Sequence, residues 1–320
     1  MAIHSDAART DRAPEPHSRF TLTLSDGAEI EVRRHGNPNG RRVLVSHGNG
    51  FATDGYWHFW RLLAADCDLI AYDQRNHGQN PLHRREHHHV ARFADDLEAL
   101  RDALSAHFGE KPLYGVFHSL SAIVSVAHAQ RYSWPWRALV LVDPPFCPPP
   151  GDPLRERALL EEGELSKRAA RRKDAFASPA DLAKRFREGM GDWVSGAPEA
   201  MAHAVLREGT DPDKPYTLAC PGGFESRVFA ENSKLNLTPT LAALPEGVLF
   251  LGADPTLEPV AVPALVNRSL HERYGLRYEA IAGGSHMLQL EHPEAVASRV
   301  LAFFESVEVS AGYAGEVSST

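Results

Sequence analysis

Lys111 to Ala127 reads KPLYGVFHSLSAIVSVA, and this stretch decides the fold. Its first half is a short apolar run rich in aromatic and β-branched residues, the pattern of a buried strand. Its second half is apolar almost all round and built from small and branched residues, the pattern of a packed helix. Ser119 stands at the junction. A serine on a sharp strand-to-helix turn projects its Oγ from the C-terminal edge of a sheet, and the helix N-terminus behind it favours negative charge. Such turns usually read G-x-S-x-G, because little room is left two residues either side of the serine. Here the window is Phe117-His118-Ser119-Leu120-Ser121, small on the far side but carrying Phe117 on the near side. Ser119 is the candidate nucleophile; the competing reading is a serine that merely starts a buried helix.

Outward from that junction, strands and helices alternate. Upstream, RFTLTLSDG (19–27) and EIEVRRHG (29–36) read as a hairpin turning at Asp26-Gly27, and RRVLVSHGNG (41–50) as a buried strand entering a glycine-rich loop. YWHFWRLLA (56–64) reads as a helix, CDLIAYD (67–73) as a strand, and VARFADDLEALRDALSAHFG (90–109) as an amphipathic helix ending on glycine. Downstream, RALVLVD (137–143), GVLFLGAD (247–254) and LRYEAIAG (276–283) are strands, with helices at 263–275 and 292–306. This alternation predicts an α/β fold: a mostly parallel sheet covered by helices on both faces. Between 144 and 235 no buried strand is evident, and Arg-rich, Pro-punctuated helical segments take over. We therefore expect a core of 19–143 and 236–308, a helical cap at 144–235, and polar tails at 1–18 and 309–320, disordered and flexible respectively.

Three further loops fall at strand ends. His47-Gly48-Asn49-Gly50 follows one strand, Asp73-Gln74-Arg75-Asn76-His77-Gly78 the next, and Gly283-Gly284-Ser285-His286-Met287 the last. H-G-N-G, D-Q-R-N-H-G, H-S-L-S and G-S-H-M in this order resemble the α/β-hydrolase superfamily over most of Phe20 to Ser306, the cap excepted. That resemblance implies Ser119 as nucleophile, His286 as its base, and an oxyanion hole from the backbone N–H of Leu120 and of Asn49, with Gly50 as the alternative. The superfamily's epoxide hydrolases and dehalogenases need an aspartate nucleophile and are set aside. For the acid two candidates stay open. Asp254 lies after the strand that follows the cap, where most relatives carry theirs, but in a loop one residue short of the common G-x-x-D. Asp143 ends the strand after the Ser119 helix, an arrangement seen in a minority of relatives, zearalenone-type lactonases among them, and is narrowly preferred.

The resulting expectation is a cofactor-independent serine esterase or lactonase acting through an acyl-enzyme. The alternatives are a C–C hydrolase or lyase in the same pocket, and a non-catalytic ligand-binding homologue. Phe51, Phe117 and Phe146 are expected to line the substrate site and, with the cap, to favour a bulky hydrophobic ester or lactone. The net charge of −8 argues against nucleic acid as a partner. No run reaches the roughly 18 apolar residues of a membrane span, and three scattered cysteines, Cys67, Cys147 and Cys220, suit a reducing cytoplasm better than a disulfide framework. The chain is expected to work as a monomer or homo-oligomer. His83, His87, His88 and His89 are read as a solvated helix start with some cap contact rather than a metal site.

Overall fold

The computed structural model describes residues 11–317, with side chains through Ser310. In chain order the first half carries β1 (Ser18–Thr23), β2 (Glu29–Gly36), β3 (Arg42–Ser46), α1 (Trp57–Ala64), β4 (Asp68–Tyr72), α2 (Val90–Phe108), β5 (Leu113–His118), α3 (Leu120–Ala129) and β6 (Trp136–Val142). An inserted segment follows, with α4 (Arg155–Arg171), β7 (Ala175–Phe176), α5 (Pro179–Gly189), α6 (Ala197–Val205), β8 (Leu206–Glu208), β9 (Tyr216–Leu218), α7 (Gly222–Asn232) and α8 (Thr238–Leu241). The chain then returns to the core through β10 (Val248–Gly252), α9 (Val262–Tyr274), β11 (Arg277–Ala280), α10 (Leu288–Glu291) and α11 (Pro293–Val317).

The main sheet has the order β1-β2-β4-β3-β5-β6-β10-β11, antiparallel at the β1-β2-β4 edge and parallel from β4 to β11. Strands β3, β4, β5 and β10 are buried at every position, as parallel strands covered on both faces must be. One face packs Phe59, Trp60, Phe303 and Phe304 from α1 and α11. On the opposite face sit Phe93, Leu97, Leu100 and Leu104 of α2, the helical stripe read in the sequence. Each such side chain, fully buried, contributes roughly 1.5–3 kcal/mol.

Two expectations change. The inserted segment is not wholly helical, since β7, β9 and β8 form a small antiparallel sheet. Strands of two and three residues are too short to show alternation. The C-terminal tail expected from 309 continues as helix to Val317, and residues 318–320 lie outside the described residues. At the other end residues 1–10 also lie outside them. From the described part of that tail Ala13 packs on the core, and the His17 N–H donates to the Arg34 carbonyl.

Candidate active site

Ser119 sits between β5 and α3 with φ 51° and ψ −111°, a left-handed backbone that a non-glycine residue adopts only when its surroundings enforce it. Enforcement comes from the sheet: the Ser119 N–H donates to the Val142 carbonyl on β6 (3.0 Å), and the N–H of Ile123 to the Ser119 carbonyl (3.1 Å). Phe117 is the departure that made this turn atypical. The structure moves it out of the expected substrate wall. It is fully buried on the α2/α3 face, with its ring against Trp136 (5.2 Å between centroids) and Tyr72 (6.4 Å). The space it needs is made two residues earlier: a Cβ on Gly115 would lie 2.8 Å from Phe117 Cε2.

Around Ser119 three strand ends meet. His286 Nε2 lies 3.1 Å from Ser119 Oγ, and its Nδ1–H donates to Asp143 Oδ2 at 2.7 Å. Asp143 is completely buried, and its other oxygen accepts from the Ala253 N–H (3.0 Å) and Asn267 Nδ2 (3.2 Å). Burial by itself would lower the pKa of His286, but the adjoining Asp143 carboxylate outweighs it, and the result is a raised value. Asp254 is placed differently. Its Oδ1 accepts from Thr256 N–H and Oγ1, its Oδ2 from the Gly283 N–H (2.8 Å), so it closes a turn below the histidine loop. Among the described residues Asp143 is the carboxylate bonded to His286.

The loops after β3 and β4 brace each other. His77 Nδ1–H donates to its own loop at Arg75 O, leaving Nε2 to accept the Gly50 N–H at 3.2 Å. In return His47 Nε2 accepts the Gln74 N–H at 3.0 Å. Burial keeps both imidazoles neutral by lowering their pKa values, as acceptor nitrogens require. The amide of Gly50 is therefore occupied, whereas no intramolecular hydrogen bond takes up the N–H of Asn49 or Leu120 among the described residues. Cap and loop also touch: Asn49 Nδ2 donates to Glu225 O of α7 (3.0 Å), and the Glu225 carboxylate lies where a Cβ on Gly50 would be, 2.8 Å away.

Sequence reasoning missed several polar residues. His118, fully buried, donates from Nε2 to the His286 carbonyl (2.9 Å) and accepts the Tyr56 hydroxyl at Nδ1 (2.9 Å), so the residue before Ser119 holds the backbone of the histidine loop. The position of His118 beside Ser119 was the available signal. His88, expected at a solvated helix start, is fully buried beside His77 and Cys220, the three donor atoms lying within 4.8 Å of one another. The lone pair of His77 is taken by Gly50, and His88 Nδ1 accepts from Asn76 Nδ2 (3.1 Å). His83, His87 and His89 are half-buried, and His87 Nδ1 bonds Asp26 (2.7 Å).

Two cavities flank Ser119 and His286. The larger, about 470 Å³, is walled by Phe51, Phe176, Leu182, Phe186, Met190 and Met287, with Arg168, Lys173 and Arg185 exposed around it. Phe51 of the core loop meets Phe186 and Trp193 of the cap at 6.3 Å each. The smaller, about 240 Å³, holds Phe146, Val262, Val266, Glu161 and Glu162. Phe51 and Phe146, both expected at the substrate site, thus each line one of the two cavities beside Ser119.

Residues 43–299 match the model of the alpha/beta hydrolase family, and the chain belongs to that family. It is similar in structure to an E-2-(acetamidomethylene)succinate hydrolase (TM-score 0.73, 19% identity, covering 90% of this chain and 99% of that one). A thioesterase domain from the curacin biosynthetic pathway (TM-score 0.70, 16%, 89% and 99%) is similar too. So is a thermophilic esterase from Thermogutta terrifontis (TM-score 0.64, 17%, 91% and 99%). At these identities the likeness speaks for the fold. No curated protein matches the chain. No helix among the described residues is long and apolar enough to cross a membrane.

Proposed function

We propose that the protein is a serine hydrolase cleaving a carboxylic ester or lactone through an acyl-enzyme on Ser119. The observation that carries this reading is the continuous chain Ser119 Oγ, His286 and Asp143 at 3.1 and 2.7 Å. In the first step Ser119 Oγ bonds to the substrate carbonyl carbon while its proton passes to His286 Nε2. The oxyanion so formed is held by the N–H groups of Leu120 and Asn49, both without an internal partner among the described residues. Asp143 keeps the imidazole in the tautomer whose Nε2 is free and stabilises the imidazolium. The C–O bond breaks and His286 returns the proton to the leaving alkoxide. Water then adds to the acyl-enzyme, giving its proton to His286, and the carboxylic acid leaves with Ser119 restored. The apolar walls of the larger cavity support a bulky, hydrophobic arm on the substrate.

A fluorophosphonate should label Ser119 covalently, and Ser119→Ala should abolish the label. Hydrolysis of aryl esters and macrolactones, compared with cleavage of diketones and cyanohydrins, then reads the reaction class. An unlabelled, folded wild-type protein, or turnover confined to diketones, would contradict the acyl-transfer reading.

A further inference from the structure

At Glu162 the smaller cavity meets a narrow recess lined by hydrogen-bond acceptors that lack donors among the described residues. Glu162, only 9% exposed, accepts from Asn232 Nδ2 at Oε1 (3.0 Å), while its buried Oε2 has no partner. Asn232, 3% exposed, sends Nδ2 to the Pro145 carbonyl (2.9 Å) as well as to Glu162, so its amide orientation is settled by two acceptors. Its Oδ1 is then left buried and unpartnered. Asn49 repeats the arrangement, with Nδ2 on Glu225 O and Oδ1 unpartnered. All three line this recess, which shares Ser119, Pro145, Glu162 and Phe229 with the smaller cavity. Glu161 adds a second carboxyl to the wall, and among the described residues no Lys or Arg lines that cavity. The nearby cations Arg155 and Arg157 are turned to the backbone carbonyls of Pro148 and Val260.

A buried acceptor without a donor costs on the order of 1–3 kcal/mol. Burial answers in part by pushing the Glu162 carboxyl up to about 7. Resting on the acyl-transfer reading of Ser119, we propose that this cavity receives the arm of the substrate that ends in a protonated amine. An ammonium group carries three donors and no acceptor, which matches Glu162 Oε2, Asn232 Oδ1 and Asn49 Oδ1. Its charge also relieves the burial of two carboxyls in an otherwise apolar wall. The opposite cavity differs: its walls are mostly apolar, its carboxylate Glu225 is paired with Arg172, and Arg168, Lys173 and Arg185 stand exposed around it. The pair of cavities therefore sets which end of the substrate lies on each side of the scissile carbonyl.

The test uses the full-length chain and fluorophosphonates with arms of equal length, ending in an amine, a hydroxyl or a methyl group. Wild-type Ser119 should be labelled by the amine reagent on the order of 10- to 100-fold faster than by the methyl one, the range of a charge-assisted hydrogen bond. In Glu162→Gln that ratio should fall towards one, and Asn232→Leu should lower it by a smaller factor. Thermal melts and complete labelling at long times certify that each variant is folded. Equal rates for amine and methyl arms, or a hydroxyl arm that matches the amine, overturn the proposal while leaving Ser119 a nucleophile. Failure of all three reagents to label wild type refutes the acyl-transfer reading instead, and this inference with it.

Discussion

Core and cap solve different problems with different interactions. In the core, Ser119, Asp143 and His286 follow β5, β6 and β11 in turn, and their positions are tied by short polar contacts between neighbouring strand ends. Asp143 N–H donates to Leu251 O, Ser119 N–H to Val142 O, and the β3 and β4 loops exchange imidazole bonds. The cap meets the same site through aromatic rings, rim cations and a few helix-borne polar groups such as Glu162 and Asn232. The lesson is a division of labour: strand ends fix the proposed triad, and the insertion supplies much of the cavity walls beside it.

The sharpest break between the two regions is expected at Ser119. Replacing it by alanine should lower kcat by about 10⁵-fold or more, a loss no cap substitution should approach. Next in size, Asp143→Asn should lower kcat about 10⁴-fold by freeing the wrong histidine tautomer. Asp254→Asn, which disturbs only a turn, should cost less than about tenfold. Steady-state kinetics of the two variants side by side check this, and a crippled Asp254→Asn with an active Asp143→Asn would reverse the assignment. A smaller effect belongs to Tyr56→Phe, which removes the donor to His118 Nδ1. A fall in kcat of about tenfold is expected with KM nearly unchanged, because the histidine loop loses a brace and the substrate walls do not.

Cap changes should move other quantities. Phe186→Ala opens the larger cavity and should raise KM for bulky aryl esters by roughly ten- to a hundredfold, leaving small acyl esters nearly unaffected. The pH profile separates the regions once more. His286 must be neutral to accept the Ser119 proton, and Asp143 raises its pKa, so the acidic limb of kcat/KM should lie above the ordinary histidine value of 6.5. Activity is then lost as pH falls through that raised value. Removing the Asp143 charge should shift the limb to lower pH in whatever activity remains, whereas Phe186→Ala should leave it in place.

The same contrast explains what could be read from residues alone. Strand periodicity and loop order revealed β5, Ser119 and the loop of His286, because parallel strands buried on both faces leave a continuous apolar signature. Choosing between Asp143 and Asp254 by loop length was narrow, since either side chain could have reached the imidazole; the bond to His286 exists only in three dimensions. The cap sheet left no trace, its strands being shorter than one alternation. Burial of His88 went unseen because its cover, Cys220 and Phe224, lies more than a hundred positions away. Phe117 misled for a related reason: its partners Tyr72 and Trp136 come from other strands, so its place on the α2/α3 face shows only in three dimensions.

That phenylalanine and Gly115 form an interlocked pair. A search keyed to glycine two positions before the candidate nucleophile passes over this chain, although the small residue is still present, one strand repeat upstream. Neither member can mutate freely by itself. A side chain at 115 strikes the ring, and glycine at 117 leaves a void as large as a benzyl group between Tyr72 and Trp136. Restoring the common motif by Phe117→Gly alone would leave that void unfilled, so packing holds the unusual spelling of this elbow in place.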